Sequence, residues 1–288
     1  MKCIFCKHVS DDSKSVEHII PESLGNTKNV LPRCVVCDKC NNYFSRKIEQ
    51  PLLEQLFFKN LRGRNWIESK KGKIPPEEIM YIGAKEKAIL HRNEKGTPKM
   101  ILDIHDQNFF QKIFTGQKKE LIFPFEIERP EANNRTIARF LGKIGVEALA
   151  QKWVGHVGWE EYHISHEGLD LLRNYVRYNT PNIEWPYSVR KIYGENEQFR
   201  ISHNDNQENL DVLYEYDFLM EQVGIDLYET YICVAIKGYE FVLNVAGPEI
   251  SGYIDWLKRN NNISPLYLKK NNKENPILPS DNFLPGQK

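Results

Sequence analysis

The chain has no excess of charge of either sign. Lysine and arginine together number 39 among the 288 residues, and aspartate and glutamate also number 39. The chain therefore has no global positive field that would attract nucleic acid, and any such binding must come from a local basic patch. This balance weakens a nucleic-acid function without excluding it.

The sequence also lacks a long apolar run. The longest runs, such as Tyr231 to Ile236 and Phe241 to Val245, are far shorter than the roughly 20 residues that a membrane-spanning helix needs. Met1-Lys2-Cys3 does not open a signal peptide. We therefore expect a folded, cytoplasmic protein with no membrane partner, since 41% hydrophobic residues are enough to build a core.

Cysteine is almost absent beyond residue 40. Five of the six cysteines lie within the first 40 residues, and Cys233 lies in an apolar, strand-like run with no obvious partner. In a reducing compartment, Cys-x-x-Cys pairs indicate zinc rather than disulfides. Cys233 is most simply a buried core residue.

Two Cys-x-x-Cys pairs predict a structural zinc site. Four thiolates in two pairs can meet at one tetrahedral ion. The second pair is ambiguous, because Cys34 and Cys37 also form a Cys-x-x-Cys unit. We favour the later pair, because Cys34 begins an apolar run that a strand would bury, although a role for Cys34 as a replacement ligand stays open. The expected ligands are Cys3, Cys6, Cys37 and Cys40.

The segment between the cysteine pairs carries a second pattern. It contains Glu17-His18 and later Asn29, and Asn41 follows the last cysteine directly. Together with the cysteines, this order resembles the four-cysteine branch of the HNH endonuclease family over about residues 1–50. The resemblance implies a β-hairpin crossed by a helix around one catalytic divalent metal.

The resemblance also implies a role for each residue. His18 would be the general base, since an imidazole titrates near neutral pH, and Asn29 would bond across the loop to orient His18. Glu17 and Asn41 would bind Mg²⁺ or Mn²⁺, because carboxylate and amide oxygens are the hard donors that these ions prefer. Asn42 is a second candidate for the metal. The expected cofactors are thus a structural Zn²⁺ and a catalytic Mg²⁺ or Mn²⁺.

The remainder of the chain indicates an α+β fold. We divide it into an HNH nuclease module with its following helix (1–62), a basic linker (63–76) and a larger α+β recognition or regulatory domain (77–288). Periodicity predicts the following elements: helices at 38–49, 51–61, 133–154, 165–178 and 250–257, and strands at 99–104, 120–127, 187–193, 210–220, 230–236 and 239–245. From Asn260 on, the tail is predicted to be loose.

Two small-residue positions and a turn add detail to this scheme. Gly142 and Gly145 on the long helix indicate close packing against a neighbour. Lys237-Gly238 predicts a tight hairpin between the last two strands. The histidines at 156, 163 and 166 have no recognisable metal-binding spacing, and we interpret them as structural or surface residues.

The densest basic stretch follows the cysteine-rich segment and predicts contacts with phosphate. The alternative is a solvated linker. The predicted nucleic-acid-binding residues are Arg46, Lys47, Arg62, Arg64, Lys70 and Lys71.

The sequence thus favours a metal-dependent DNA endonuclease, with double-stranded DNA as its partner and a role in restriction or anti-phage defence. A regulatory ligand, a protein partner and an oligomer stay open. Two alternatives remain: a zinc-ribbon nucleic-acid-binding protein without catalysis, and an RNA-cleaving nuclease that is active only in a complex.

Overall fold

The protein combines helices with antiparallel sheets, as predicted for an α+β fold. The computed structural model describes residues 1–69, 71–79, 88–93, 99–103, 107–117, 129–195, 198–203, 206–211, 213–225 and 227–266. Within this part of the chain, no helix has both the length and the apolar character needed to cross a membrane.

The elements follow one another in this order: β1 (Glu17–His18), β2 (Val30–Leu31), α1 (Asp38–Phe44), α2 (Gln50–Glu54), α3 (Leu56–Arg64), β3 (Glu77–Ile79), β4 (Ala88–Asn93), β5 (Lys99–Asp103), α4 (Gln107–Phe114), α5 (Arg135–Trp153), α6 (Trp159–Ser165), α7 (Asp170–Tyr178), β6 (Tyr187–Lys191), β7 (Gln198–His203), β8 (Asn206–Asp211), β9 (Tyr214–Gly224), β10 (Leu227–Ile236), β11 (Tyr239–Asn244) and α8 (Ser251–Arg259). A π-helical turn at Ser45–Glu49 links α1 to α2, and short 3₁₀ turns occupy Glu22–Leu24 and Glu167–Leu169.

The described residues form four sheets, in the orders β1-β2, β3-β4-β5, β7-β8 and β6-β11-β10-β9, and the last three are antiparallel. The chain divides into two compact units. The first comprises Met1–Ile19, Leu31–Phe44 and the chain from Ala132 onward, and the second comprises Ile20–Val30 and Ser45–Glu131. This division differs from the cut predicted near residues 62–76.

The first unit is built around the four-stranded sheet. Side chains of β10 alternate between its two faces, as the period of two in a strand requires. Tyr231 and Cys233 pack with Tyr253 and Leu257 of α8 in one buried cluster. The hairpin turn at Lys237-Gly238 forms as predicted, with φ 43° and 84° at its two residues. Cys233 is a buried core residue, also as predicted.

Helix α5 packs against the opposite face of the sheet and against α7. One glycine permits the close approach to the sheet, and another permits the close approach to α7. A Cβ on Gly145 would come within 2.6 Å of Val245 Cγ1 and 3.3 Å of Ile232 Cγ2. A Cβ on Gly142 would come within 2.8 Å of Leu172 on α7. The prediction of close packing at both glycines is therefore confirmed. Asn134 caps the helix by accepting hydrogen bonds from the backbone N–H groups of its first turn.

Several predicted boundaries are wrong. The strand predicted at 210–220 is two strands, since β8 ends at Asp211 and β9 begins at Tyr214. The helix predicted at 165–178 begins at Asp170, and α6 precedes it without having been predicted. The tail packs until residue 266, because Ser264 donates a hydrogen bond to Glu240 and Leu266 is buried. The strand predicted at 120–127 lies outside the described residues.

The second unit contains α2, α3 and the sheet of β3, β4 and β5. Pro51 lies in the first turn of α2, where a residue without a backbone N–H is tolerated. The break between the helices comes later, at Gln55, whose backbone is extended. In this unit the buried carboxylate of Glu77 pairs with Arg92 at 2.7 Å and with Arg64 at 3.4 Å.

Candidate functional site

The four predicted zinc ligands converge at one point in the first unit. The sulfur atoms of Cys3, Cys6, Cys37 and Cys40 all lie within 4.8 Å of one another. Cys6 Sγ and Cys37 Sγ are 3.6 Å apart, close to the roughly 3.8 Å edge of a tetrahedron whose metal–sulfur bonds are about 2.3 Å. We call these four residues the cysteine cluster. They are positioned to bind one structural metal, in a ligand set that zinc prefers.

Cys34 is not part of the cysteine cluster. Its thiol donates hydrogen bonds to the carbonyl oxygens of Asp11 at 3.2 Å and Ser13 at 3.8 Å. We expected a strand to bury Cys34, but the residue is only half-buried and adopts a positive φ of 72°. The turn that this backbone makes directs Cys34 away and leaves Cys37 and Cys40 to the cluster.

A charged side chain from α7 contacts the cysteine cluster. Arg177 Nε donates to Cys40 Sγ at 3.1 Å, and its guanidinium lies 4.2 Å from the ring centroid of Tyr43. A hydrogen bond from Cys40 lowers the pKa of the Cys3 thiol to about 5. A donor to sulfur favours the thiolate that a metal requires, so Arg177 supports metal binding.

Helix α1 anchors the segment that precedes Glu17. Asp38 is the first residue of α1, and its carboxylate accepts hydrogen bonds from the backbone N–H groups of Lys14 and Ser15 and from the Ser15 hydroxyl. Asp38 therefore holds this neighbouring loop against the start of α1. Asn41 Nδ2 donates to the Val16 carbonyl at 3.2 Å. These contacts place Asn41 beside β1.

Helix α5 meets Glu17 and His18 through a buried lysine. The Lys143 ammonium lies 2.6 Å from Glu17 Oε1 and 2.9 Å from Glu147 Oε2, and it donates to the His18 carbonyl at 3.0 Å. The side chains of Lys143 and Glu147 are fully buried, and Glu17 is 4% exposed. Removing one member of such a buried set leaves an uncompensated charge, so Lys143 fixes both the carboxylate and the backbone of β1.

Lys143 belongs to a row of charged residues on a helix whose other buried residues are mostly apolar. Arg139, Lys143 and Glu147 follow at intervals of four, and residues spaced this way share one helix face. We call them the charged stripe. Arg139 donates to the hydroxyl of Tyr43 at 2.8 Å and to the Val176 carbonyl at 2.7 Å. The stripe thus faces the cysteine-rich segment and α7.

In the sequence, the apolar periodicity of this helix is more prominent than the charged stripe. The spacing of four among residues 139, 143 and 147 was the available signal, because three ionisable groups rarely share a face that a core buries unless they have partners.

In the second unit, Asn26 organises the loop that contains Asn29. Its buried side chain donates to the carbonyls of Ile20 at 2.7 Å and Asn29 at 2.8 Å, and accepts from the backbone N–H groups of Lys28 and Asn29. The Asn26 side chain therefore holds the loop together through hydrogen bonds, and Asn29 takes part in them through its backbone N–H and carbonyl groups. A side-chain role for Asn29 stays a prediction.

The predicted basic residues do not form one exposed surface. Arg46 and Lys47 on the π-helical turn are exposed, as is Lys71. Arg62 is 7% exposed, and Arg64 pairs with the buried Glu77. Helix α3 continues to Arg64 and packs both arginines, so a role for them in phosphate binding stays a prediction. Lys70 lies outside the described residues.

The cysteine cluster, two short strands and helix α1 define a small N-terminal module that is positioned to bind a structural metal. Residues 3–57 match the model of the HNH endonuclease family. This match covers the cysteine cluster, Glu17, His18, Asn29 and Asn41, and supports a nuclease. No curated protein and no solved structure matches the chain.

Proposed function

We propose that the chain is a metal-dependent HNH endonuclease that hydrolyses phosphodiester bonds in double-stranded DNA. The single observation that carries this proposal is the position of Glu17 and His18. They lie in the HNH-matched segment, on a strand that Lys143 grips through the Glu17 carboxylate and the His18 carbonyl. A base and a metal ligand must be held rigidly to act on one phosphate.

The donor chemistry supports a cation at this position. Glu17 offers carboxylate oxygens and Asn41 an amide oxygen, which are donors that Mg²⁺ and Mn²⁺ accept. The residues therefore fit such an ion, with Glu17 and Asn41 as its ligands and Asn42 as the alternative.

In the proposed reaction, His18 accepts a proton from the attacking water as the new phosphorus–oxygen bond forms. The bond between phosphorus and the sugar 3′-oxygen breaks, and that oxygen takes a proton from solvent. A bound divalent cation would supply positive charge to stabilise the scissile phosphate. Lys143 holds the His18 backbone while the imidazole acts, and Asn29 and Asn26 order the loop that follows β1.

DNA binding would begin at the exposed basic residues. Arg46 and Lys47 are both exposed, so they would contact the phosphate backbone. Such contacts contribute affinity without sequence preference. Target choice would then come from the region beyond residue 77, consistent with a role in restriction or anti-phage defence.

Plasmid cleavage with Mg²⁺ or Mn²⁺ tests the proposal. We expect His18→Ala to reduce the cleavage rate at least about 100-fold, as for loss of a general base, while zinc content stays at the wild-type level. His91→Ala is the matched control, because His91 is exposed on β4 in the second unit, and its rate should equal that of wild type.

The outcomes separate the proposal from its rivals. If the His18→Ala protein cleaves plasmid at the wild-type rate, His18 is not the base. Binding without cleavage by the wild-type protein would indicate a zinc-ribbon binding protein. Cleavage of RNA but not DNA in parallel assays would indicate the ribonuclease alternative.

A further inference from the structure

A cavity of about 540 Å³ opens in the first unit, far along the chain from the HNH-matched segment. It lies where the C-terminal end of α5 meets α6 and strands β9 and β10. Its volume falls within the range of small-molecule sites, roughly 300–1,000 Å³. Leu169, Phe218 and Val245 line it and are themselves buried, so the inner wall is apolar.

One polar group is buried in this apolar wall. His163 lines the cavity and is 2% exposed. No group among the described residues hydrogen-bonds its Nε2 atom. Burial lowers the pKa of His163 to about 3, with smaller contributions from Arg173 and His166. The ring is therefore neutral near pH 7, and Nε2 can donate or accept one hydrogen bond according to its tautomer.

Flat rings surround the cavity entrance. Trp153, His156, Tyr162 and His166 all line the cavity, and we call them the aromatic rim. The rings of Tyr162 and His166 are stacked, with centroids 5.8 Å apart and planes at 12°. The centroids of Trp153 and Tyr162 are 5.3 Å apart. Trp153 and Tyr162 are 42% and 57% exposed, which leaves ring surface available to a ligand.

The lining excludes several kinds of occupant. A metal ion is excluded because, within the part of the chain that the structure describes, only the cysteine cluster brings enough ligand atoms together. An alkyl chain would leave Nε2 of His163 buried without a partner, which is costly. A highly charged anion lacks counter-charge, because Lys152 at the entrance already pairs with Asp217 at 3.0 Å.

We propose that this cavity binds a planar heteroaromatic molecule of the nucleobase type. A nucleobase has flat faces that stack on aromatic rings, and its edge carries both donors and acceptors, so it can pair with either tautomer of His163. The ring would enter past the aromatic rim, and a ribose or a single phosphate would remain at the entrance near Lys152. This site does not depend on the proposed nuclease activity.

Calorimetric titration of the zinc-loaded full chain tests the site. The probes are adenosine, guanosine, cytidine and uridine, and their 5′-monophosphates. We expect at least one base to bind with a one-to-one stoichiometry as the nucleoside and as the monophosphate. If none of the eight probes binds at millimolar concentration, the proposal is overturned.

A substitution at the entrance locates the binding. Met220 lines the cavity and is 68% exposed, so its replacement should not disturb folding. Met220→Trp should close the entrance and weaken binding at least tenfold, whereas Met220→Ala should bind within about threefold of wild type. Equal binding by Met220→Trp and wild type would place the ligand elsewhere and overturn the proposal.

A second variant tests the polar contact. His163→Leu removes the buried nitrogen and keeps an apolar wall, and we expect it to weaken nucleoside binding at least tenfold. Its melting curve establishes whether it is folded. Unchanged affinity in a folded His163→Leu protein would contradict the role of Nε2, and Met220→Trp decides the location if that variant does not fold.

Discussion

Two regions of the first unit are stabilised by different forces. The cysteine-rich region, Met1–Ile19 and Leu31–Phe44, contains only short elements and converges on four thiols. The region built from α5, α7 and the four-stranded sheet buries a continuous set of apolar side chains. We therefore expect the first region to need a metal to stay folded, while the second can rely on hydrophobic burial.

Buried polar contacts join these regions. Lys143, Arg139 and Arg177 all reach from helices of the sheet region to residues of the cysteine-rich region. Buried ionic contacts require specific geometry, so they fix the position of β1 more sharply than apolar contacts would. Each region should therefore unfold under a different perturbation.

Loss of one zinc ligand should have the largest effect. Cys37→Ser should abolish zinc binding, because it removes one of the four ligands. The effect on folding should be large, since structural zinc contributes about 10–16 kcal/mol of apparent binding free energy to the folding of small zinc modules. Hydrogen exchange should then increase across Met1–Ile19 and Leu31–Phe44 and stay slow in β10 and β11. Elemental analysis and exchange mass spectrometry measure both effects.

Cys34→Ser is the matched control for that experiment. It should retain one zinc per chain, because Cys34 bonds to backbone carbonyls rather than joining the cysteine cluster. Zinc loss in Cys34→Ser would show that Cys34 is a ligand.

Overpacking the sheet region should have the next largest effect. Gly145→Val places new atoms where a Cβ alone would be 2.6 Å from Val245 Cγ1, so we expect a loss of about 2–3 kcal/mol in the free energy of unfolding. Zinc content should be unchanged. Gly247→Val is the control, since no atom lies within 4 Å of its Cβ position. Equal melting temperatures for the two variants would contradict the packing of α5 described above.

Protonation of His163 should have the smallest effect. Its pKa is lowered to about 3 by burial, so the unfolded chain takes up a proton near pH 6.5 that the folded chain does not. Stability from this group is complete above pH 6.5 and is lost as the pH falls. Between pH 7 and 5.5 the loss should be about 1 kcal/mol.

Denaturant melts at the two pH values measure this loss. His163→Gln should show a pH dependence weaker by that amount than wild type. Identical pH dependence in the two proteins would contradict the neutral, buried state of His163.

The same contrast explains what could be predicted from the sequence. Cys3, Cys6, Cys37 and Cys40 could be assigned because metal ligands obey strict spacing. The long helix and the hairpin strands could be predicted from apolar periodicity and from Lys237-Gly238. The role of Lys143 could not be predicted, because one partner, Glu17, lies 126 residues away and the other, Glu147, lies four residues away. Only the tertiary fold decides whether a lysine contacts such partners or solvent.

The cavity was missed for a related reason. His156, His163 and His166 follow no metal-ligand spacing, and they meet only because α6 folds back beside α5 and the sheet. The burial of Arg62 was missed because the basic composition of its segment resembled a solvated connector. In each case the surroundings of a polar residue, and not its type, decide its role.

The most direct test concerns Lys143 and Glu17, since both the site and the proposed reaction require α5 to fix β1. A double-mutant cycle with Glu17→Gln and Lys143→Met would measure their coupling in the free energy of unfolding of the zinc-loaded chain. The control is the ion pair between Lys152, on the same helix, and Asp217 of β9, whose side chains are 53% and 34% exposed. We predict about 2–3 kcal/mol for Lys143 and Glu17, and less than about 1 kcal/mol for the control pair. Additive effects of the two substitutions at Lys143 and Glu17 would contradict the account.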